Sequence, residues 1–164
     1  MPGPLWEATR DLHHACEDHD VGAAMSSGQP PMDWYARWLW SLREIHAIID
    51  VYVPHHSRRV LPLTEDILAT GINPKMVMAA TLYAESLRDD HDIHGAIYVM
   101  LGAGLMGGEV MRRRLTGYPV RHLEWQDRPA SLALLREYRE RPELADSARN
   151  CFAALLKTMD EIRG

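Results

Sequence analysis

Cysteine is nearly absent from this chain of 164 residues, which holds only Cys16 and Cys151. The two stand far apart and neither belongs to a Cys-x-x-Cys pair, which excludes a disulfide framework and a zinc ribbon. Reduced thiols that pack as small apolar groups are the expectation. Lysine is as scarce: two, against sixteen arginines. A GC-rich gene explains that bias as well as anion recognition does. The net charge of −5 argues against a nucleic-acid partner. The N-terminal run MPGPLWEATRDLHH lacks the apolar core of a signal peptide, so a cytoplasmic protein is expected. The longest uncharged apolar run starts at Gly95 and is broken by Glu109. That is short of the ~18 residues a membrane span needs, so no membrane partner is expected. There is no internal repeat, no alternation of apolar and polar residues between hairpin turns, and no Glu-x-x-His.

What the chain does have is helical periodicity. The apolar spacing predicts an amphipathic helix over 4–18, with Leu5, Ala8, Leu12, Ala15 and Cys16 on one stripe. Residues 20–31 read as a loop ending in Pro30-Pro31. A long helix follows over 32–52, a connector over 54–59, and a short helix from Thr64 to about Gly71. Asn73-Pro74 is expected to open a helix over 75–88, with proline in its first turn. Asp89-Asp90-His91-Asp92 caps a glycine-rich helix over 91–115, which Thr116-Gly117-Tyr118-Pro119 ends. Two helices fill 130–141 and 143–162. The fold class is all-α, with residues 1–164 as one domain.

Two segments carry the chemistry. The first is the glycine-rich helix, with Gly95, Gly102, Gly104, Gly107 and Gly108. Each glycine inside a helix costs about 1 kcal/mol relative to alanine, so something must approach this backbone closely, or the helix must bend. The second is Glu7-Ala-Thr-Arg10-Asp-Leu-His13-His14-Ala-Cys-Glu17. His13 and Glu17 stand one turn apart on a shared face. A carboxylate there fixes the tautomer of the ring and leaves its other nitrogen for a metal. Arg10, one turn the other way, suits an anionic group on the same ligand. A surface salt-bridge helix with a stray histidine would carry the same spacing.

Together these segments resemble the haem oxygenase family. EATRDLHH is similar to that family's proximal helix, and the glycine-rich run to its distal helix, where glycines let the backbone kink over the haem face. Tyr98 and Gly107-Gly108 fall at matching spacing. Weaker similarity runs through Tyr35–Val53 and through Ser147-Ala-Arg-Asn-Cys-Phe152 to Ile162. The resemblance implies a helical bundle with haem b between the proximal and distal helices. It implies His13 as iron ligand, Glu17 as its hydrogen-bond partner and Arg10 as a basic residue near the haem edge. Arg139 falls near an arginine that pairs with a propionate, and Phe152 matches an aromatic beside the macrocycle. Tyr98, Gly104, Gly107 and Gly108 match positions on the distal helix. Haem would be both substrate and cofactor, opened with O₂ and external electrons to biliverdin, CO and Fe²⁺. The donor would be a ferredoxin or a flavin reductase. The bilin would feed a phytochrome chromophore or be a by-product of iron acquisition. One departure stands out: the family's distal aspartate aligns with Gly104 and the glycine before it with Ala103. On a shifted alignment Leu101-Gly102-Ala103 stands where some bacterial relatives have Glu-Gly-Ser. No carboxylate lies between Asp92 and Glu109.

That gap motivates a second reading, a haem-binding carrier or sensor without turnover. A di-iron oxidase on a similar bundle ranks below both, because its Glu-x-x-His pairs are missing. A helical interaction module remains if no haem binds. Elsewhere, His55-His56 with Arg58-Arg59 reads as a solvated loop rather than a metal site or a docking patch. Asp89-Asp90-His91-Asp92 with His94 reads as helix capping rather than a metal cluster. Trp34, Tyr35, Trp38 and Trp40 read as packing. His46 and Asp50, one turn apart, read as a structural hydrogen bond, although the resemblance takes their helix near the haem rim.

Overall fold

Helix after helix follows the apolar stripe that the sequence lays down. The computed structural model describes residues 3–164, so Met1 and Pro2 lie outside the described residues. The α-helices are α1 (Pro4–Asp18), α2 (Asp20–Ser27), α3 (Met32–Ile49), α4 (Val60–Ala69), α5 (Met78–Ser86), α6 (Asp90–Gly102), α7 (Gly108–Arg114), α8 (Arg128–Arg139) and α9 (Ala145–Arg163). Among the described residues there is no strand, and the fold is all-α.

Four stretches differ from the sequence reading. Residues 20–27 are not loop but α2. The His19 ring accepts from the Val21 N–H at the helix start, and Gly28 closes the helix in the left-handed region at φ 81°. Helix α3 stops at Ile49 and tightens into a 3₁₀ turn over Asp50–Tyr52. Helix α4 starts at Val60, where the Asp50 carboxylate accepts from the Arg59 and Val60 N–H groups at 2.8 and 2.9 Å. Helix α5 starts at Met78 rather than beside Pro74. Its start is fixed from another helix, by Glu161 of α9, which accepts from the Met78 and Ala79 N–H groups at 2.7 and 2.9 Å. Capping donors satisfied across such a distance in sequence leave no local signature.

Helix α9 is the centre of the molecule and packs on α1, α2, α3, α5 and α6. Ala148, Cys151, Phe152, Leu155, Met159 and Ile162 recur at three- and four-residue spacing, and all are buried. Each large side chain among them contributes roughly 1.5–3 kcal/mol of burial. Helix α6 crosses α9 so closely that a Cβ on Gly95 would stand 2.8 Å from the Ala148 nitrogen. The helix running from Asp90 to Arg114 is long and apolar enough to cross a membrane, with 25 residues and a mean hydropathy of 1.2 in its best window. Yet 56% of that window is buried against the rest of the fold, as in a core helix.

Candidate functional site

The glycine-rich segment does bend. Between α6 and α7, residues Ala103–Gly107 form one π turn. Such a turn widens the helix and breaks its hydrogen-bond ladder. The Leu105 carbonyl bonds instead to the Arg128 guanidinium at 3.0 Å. The glycines divide between two faces. Gly102, Ala103, Met106, Gly107 and Val110 face a cavity, and Gly107 has nothing within 4 Å of where a Cβ would stand. Gly104 and Gly108 face away from it. A Cβ on Gly104 would stand 2.9 Å from the Trp125 ring, and one on Gly108 would stand 3.0 Å from Leu123. The resemblance set Gly104, Gly107 and Gly108 together on the helix over the haem face; of the three only Gly107 faces the cavity, while Gly104 and Gly108 make room for Trp125 and Leu123. The space beside Gly104 is filled by an indole, over which the Arg59 guanidinium stacks at 3.8 Å.

Across the cavity lies α1. Trp6, Thr9, His13, Cys16 and Glu17 line it, a succession at three- and four-residue spacing. Leu5, fully buried, anchors this helix to the core. The His13 ring is braced edge-on by Trp6, with centroids 5.1 Å apart, and by Phe152 at 6.1 Å and 89°. His13 Nδ1 lies 2.9 Å from Glu17 Oε1, but off the line of a hydrogen bond, so Nδ1 is buried without a formed one. Glu17 bonds instead to His14 Nδ1 at 3.3 Å. Burial lowers the pKa of His13 below its ordinary value; Glu17 opposes this and His14 adds to it. The neutral ring is therefore favoured, and a neutral ring has a lone pair to give a metal.

The cavity between these walls measures about 710 Å³, within the range of small-molecule sites, roughly 300–1,000 Å³. Its lining is mostly apolar, including Met25, Trp38, Val99, Leu135, Leu155 and Met159. Met106 and Val110 stay 53% and 48% exposed on its edge, an apolar surface without cover. Two cations reach it from different elements: Arg139 at the end of α8 and Arg114 at the end of α7. Tyr98 also lines it. Burial raises the pKa of Tyr98, with Thr9 and Arg139 offsetting part of the rise. Burial pushes the Cys16 thiol up to about 11, so it stays protonated and does not compete as a ligand.

Of the residues singled out from the sequence, the structure brings His13, Glu17, Tyr98, Gly107, Arg139 and Phe152 to one cavity. Arg10 is not there. It lies 60% exposed and faces Glu7 at 3.8 Å. The sequence reading missed Arg114 and Trp6, although spacing carries both: Arg114 follows Gly107 by seven residues, and Trp6 precedes His13 by seven. Trp125 had no such signal, because it reaches the π turn from a loop. His46 and Asp50 form a buried pair at 2.9 Å and do not line the cavity. His56 bonds to Ser57 and Ser131. Asp89 caps α6 by accepting from the Asp92 N–H at 2.8 Å. Tyr35 is buried, while Trp34, Trp38 and Trp40 are half-buried.

No family model matches the chain. No curated protein matches it in sequence. Solved structures do match in shape. Haem oxygenase-1 from the cyanobacterium Synechocystis sp. PCC6803, solved in complex with haem, superimposes with a TM-score of 0.80 at 19% identity, over 98% of this chain and 90% of that one. Haem oxygenase from Leptospira interrogans gives 0.71 at 16% identity, over 96% of both chains. Haem oxygenase-2 from Synechocystis sp. PCC 6803, in complex with haem and NO, gives 0.77 at 15% identity, over 96% of this chain and 83% of that one. The all-α architecture is that of the haem oxygenase fold.

Proposed function

We propose that this chain is a cytoplasmic haem oxygenase that opens haem b with O₂ and external electrons to biliverdin, CO and Fe²⁺. The observation that carries the reading is the pairing of walls around one apolar cavity. An aromatic-braced His13 stands on one side, and Gly102 with the π-turn residues Ala103, Met106 and Gly107 on the other. The solved structures of similar shape that hold haem support it.

The residues fit the group. The cavity is wide and apolar as a macrocycle requires, and Arg139 and Arg114 suit its two carboxylates. Haem, as substrate and cofactor, supplies the iron at which O₂ reacts. His13 would hold that iron through Nε2, the ring nitrogen that faces away from Glu17 when Nδ1 is turned towards it. Phe152 and Trp6 fix the ring plane. Gly102, Ala103 and Gly107 would let the backbone lie close to the macrocycle, and Met106 and Val110 would add apolar contact beside it. Tyr98, beside Thr9, supplies a hydroxyl near Arg139. Electrons come from a ferredoxin or a flavin reductase, and the bilin leaves for an acceptor such as a phytochrome.

One observation favours a second reading, a carrier or sensor that holds haem without turnover. No carboxylate lines the π-turn wall, and an indole fills the space beside Gly104. Hemin titration of the purified protein, followed by ascorbate or a reductase under air, separates the two. A 1:1 Soret band that decays into a bilin band supports the oxygenase. A Soret band that persists supports the carrier. The absence of any Soret shift refutes both. His13→Ala removes the histidine-ligated spectrum; an unchanged spectrum moves the ligand elsewhere.

A further inference from the structure

His13, His14 and Glu17 form a cluster that haem ligation does not account for. One nitrogen from each ring and one carboxylate oxygen lie within 4.8 Å of one another. The two closer edges are 2.9 Å, from His13 Nδ1 to Glu17 Oε1, and 3.3 Å, from His14 Nδ1 to the same oxygen. Ligands bonded at ~2.0–2.2 Å to one ion stand roughly 2.8–3.6 Å apart at octahedral or tetrahedral angles. These two edges fall in that range, and the third, between the two rings, is within 4.8 Å, so a small rotation of the exposed His14 ring closes the set. His14 and Glu17 are 60% and 54% exposed, so an ion enters from solvent, while His13 Nδ1 waits buried and without a formed hydrogen bond. Two imidazoles and a carboxylate suit Zn²⁺, Co²⁺ or Ni²⁺.

We infer that the haem-free protein binds one divalent transition-metal ion through His13 Nδ1, His14 Nδ1 and Glu17, and that this ion excludes haem from His13. The exclusion follows from the ring. A neutral imidazole has one lone pair. When Nδ1 gives it to the ion, Nε2 carries the proton and has nothing to offer iron. His13 thus serves one metal at a time, and its tautomer decides which. The first half of the inference stands without any haem chemistry. The second rests on His13 as haem ligand, as proposed above.

The test starts with Co²⁺ and the haem-free protein. The expected result is 1:1 binding with visible d–d absorption. His14→Ala abolishes that absorption while its hemin titration stays like that of the unchanged protein. Zn²⁺ at saturating concentration weakens hemin binding at least tenfold in the unchanged protein and has no effect in His14→Ala. Co²⁺ binding that survives in His14→Ala, or no Co²⁺ binding at all, overturns the site. Co²⁺ binding with hemin affinity indifferent to Zn²⁺ overturns the exclusion. Normal Co²⁺ binding in a protein that takes up no hemin refutes the haem reading and leaves the ion site standing.

Discussion

Gly107→Ala separates what the π turn does for the fold from what it does for the ligand. Gly107 has helical backbone angles, φ −74° and ψ −30°. A Cβ there meets nothing within 4 Å. Alanine is therefore tolerated without strain, and it removes backbone freedom from the unfolded chain. That stabilises by about 0.4–1 kcal/mol, which raises Tm by roughly 1–4 °C at this chain length. The added methyl projects where the cavity is open. A macrocycle seated against this wall then meets a methyl where there had been bare backbone, and forced contact of that kind costs about 1–3 kcal/mol. In affinity that is roughly 5- to 150-fold. Calorimetry of the haem-free variant and hemin titration are the paired assays. A higher Tm with weaker hemin binding is expected. A lower Tm would show that the glycine serves the fold, and unchanged hemin binding would show that the ligand does not lie on Gly107.

Gly104→Asp places a side chain against the Trp125 ring, so it lowers stability by about 1–3 kcal/mol rather than installing a useful acid; an unchanged Tm refutes that packing. Arg139→Ala and Arg114→Ala each weaken hemin binding in a salt-sensitive way, while the dimethyl ester of hemin binds both variants like the parent. Ester and acid losing affinity equally would remove both arginines from carboxylate recognition. The Cys16 thiol, raised to about 11, is mostly protonated at pH 8, and its alkylation climbs tenfold per pH unit up to that value. At pH 8 it reacts roughly 100-fold more slowly than an unperturbed thiol; rapid labelling of the folded protein would refute the burial argument.

Local rules made much of this protein legible in its sequence. The spacing of Leu5, Leu12 and Cys16 shows an amphipathic α1, and the recurrence from Ala148 to Ile162 shows the buried face of α9. Five glycines in one helix required a close approach or a bend, and both occur: Gly95 meets α9, and Ala103–Gly107 unwinds into the π turn. His13, Tyr98, Gly107, Arg139 and Phe152, singled out through the resemblance, line one cavity.

Tertiary structure decided what periodicity does not encode. The start of α5 belongs to Glu161, more than eighty residues away in the chain. Residues 20–27 are helical because His19 and Gly28 close both ends while Gly22 lets α2 press against the Cys16 carbonyl. Gly104 and Gly108 face away from the cavity, and only the fold brings Trp125 and Leu123 to fill those spaces. A sequence fixes which faces are apolar and which residues permit close contact. Which side chain arrives at that contact depends on the loops that deliver it, and their paths are set by packing across the whole chain.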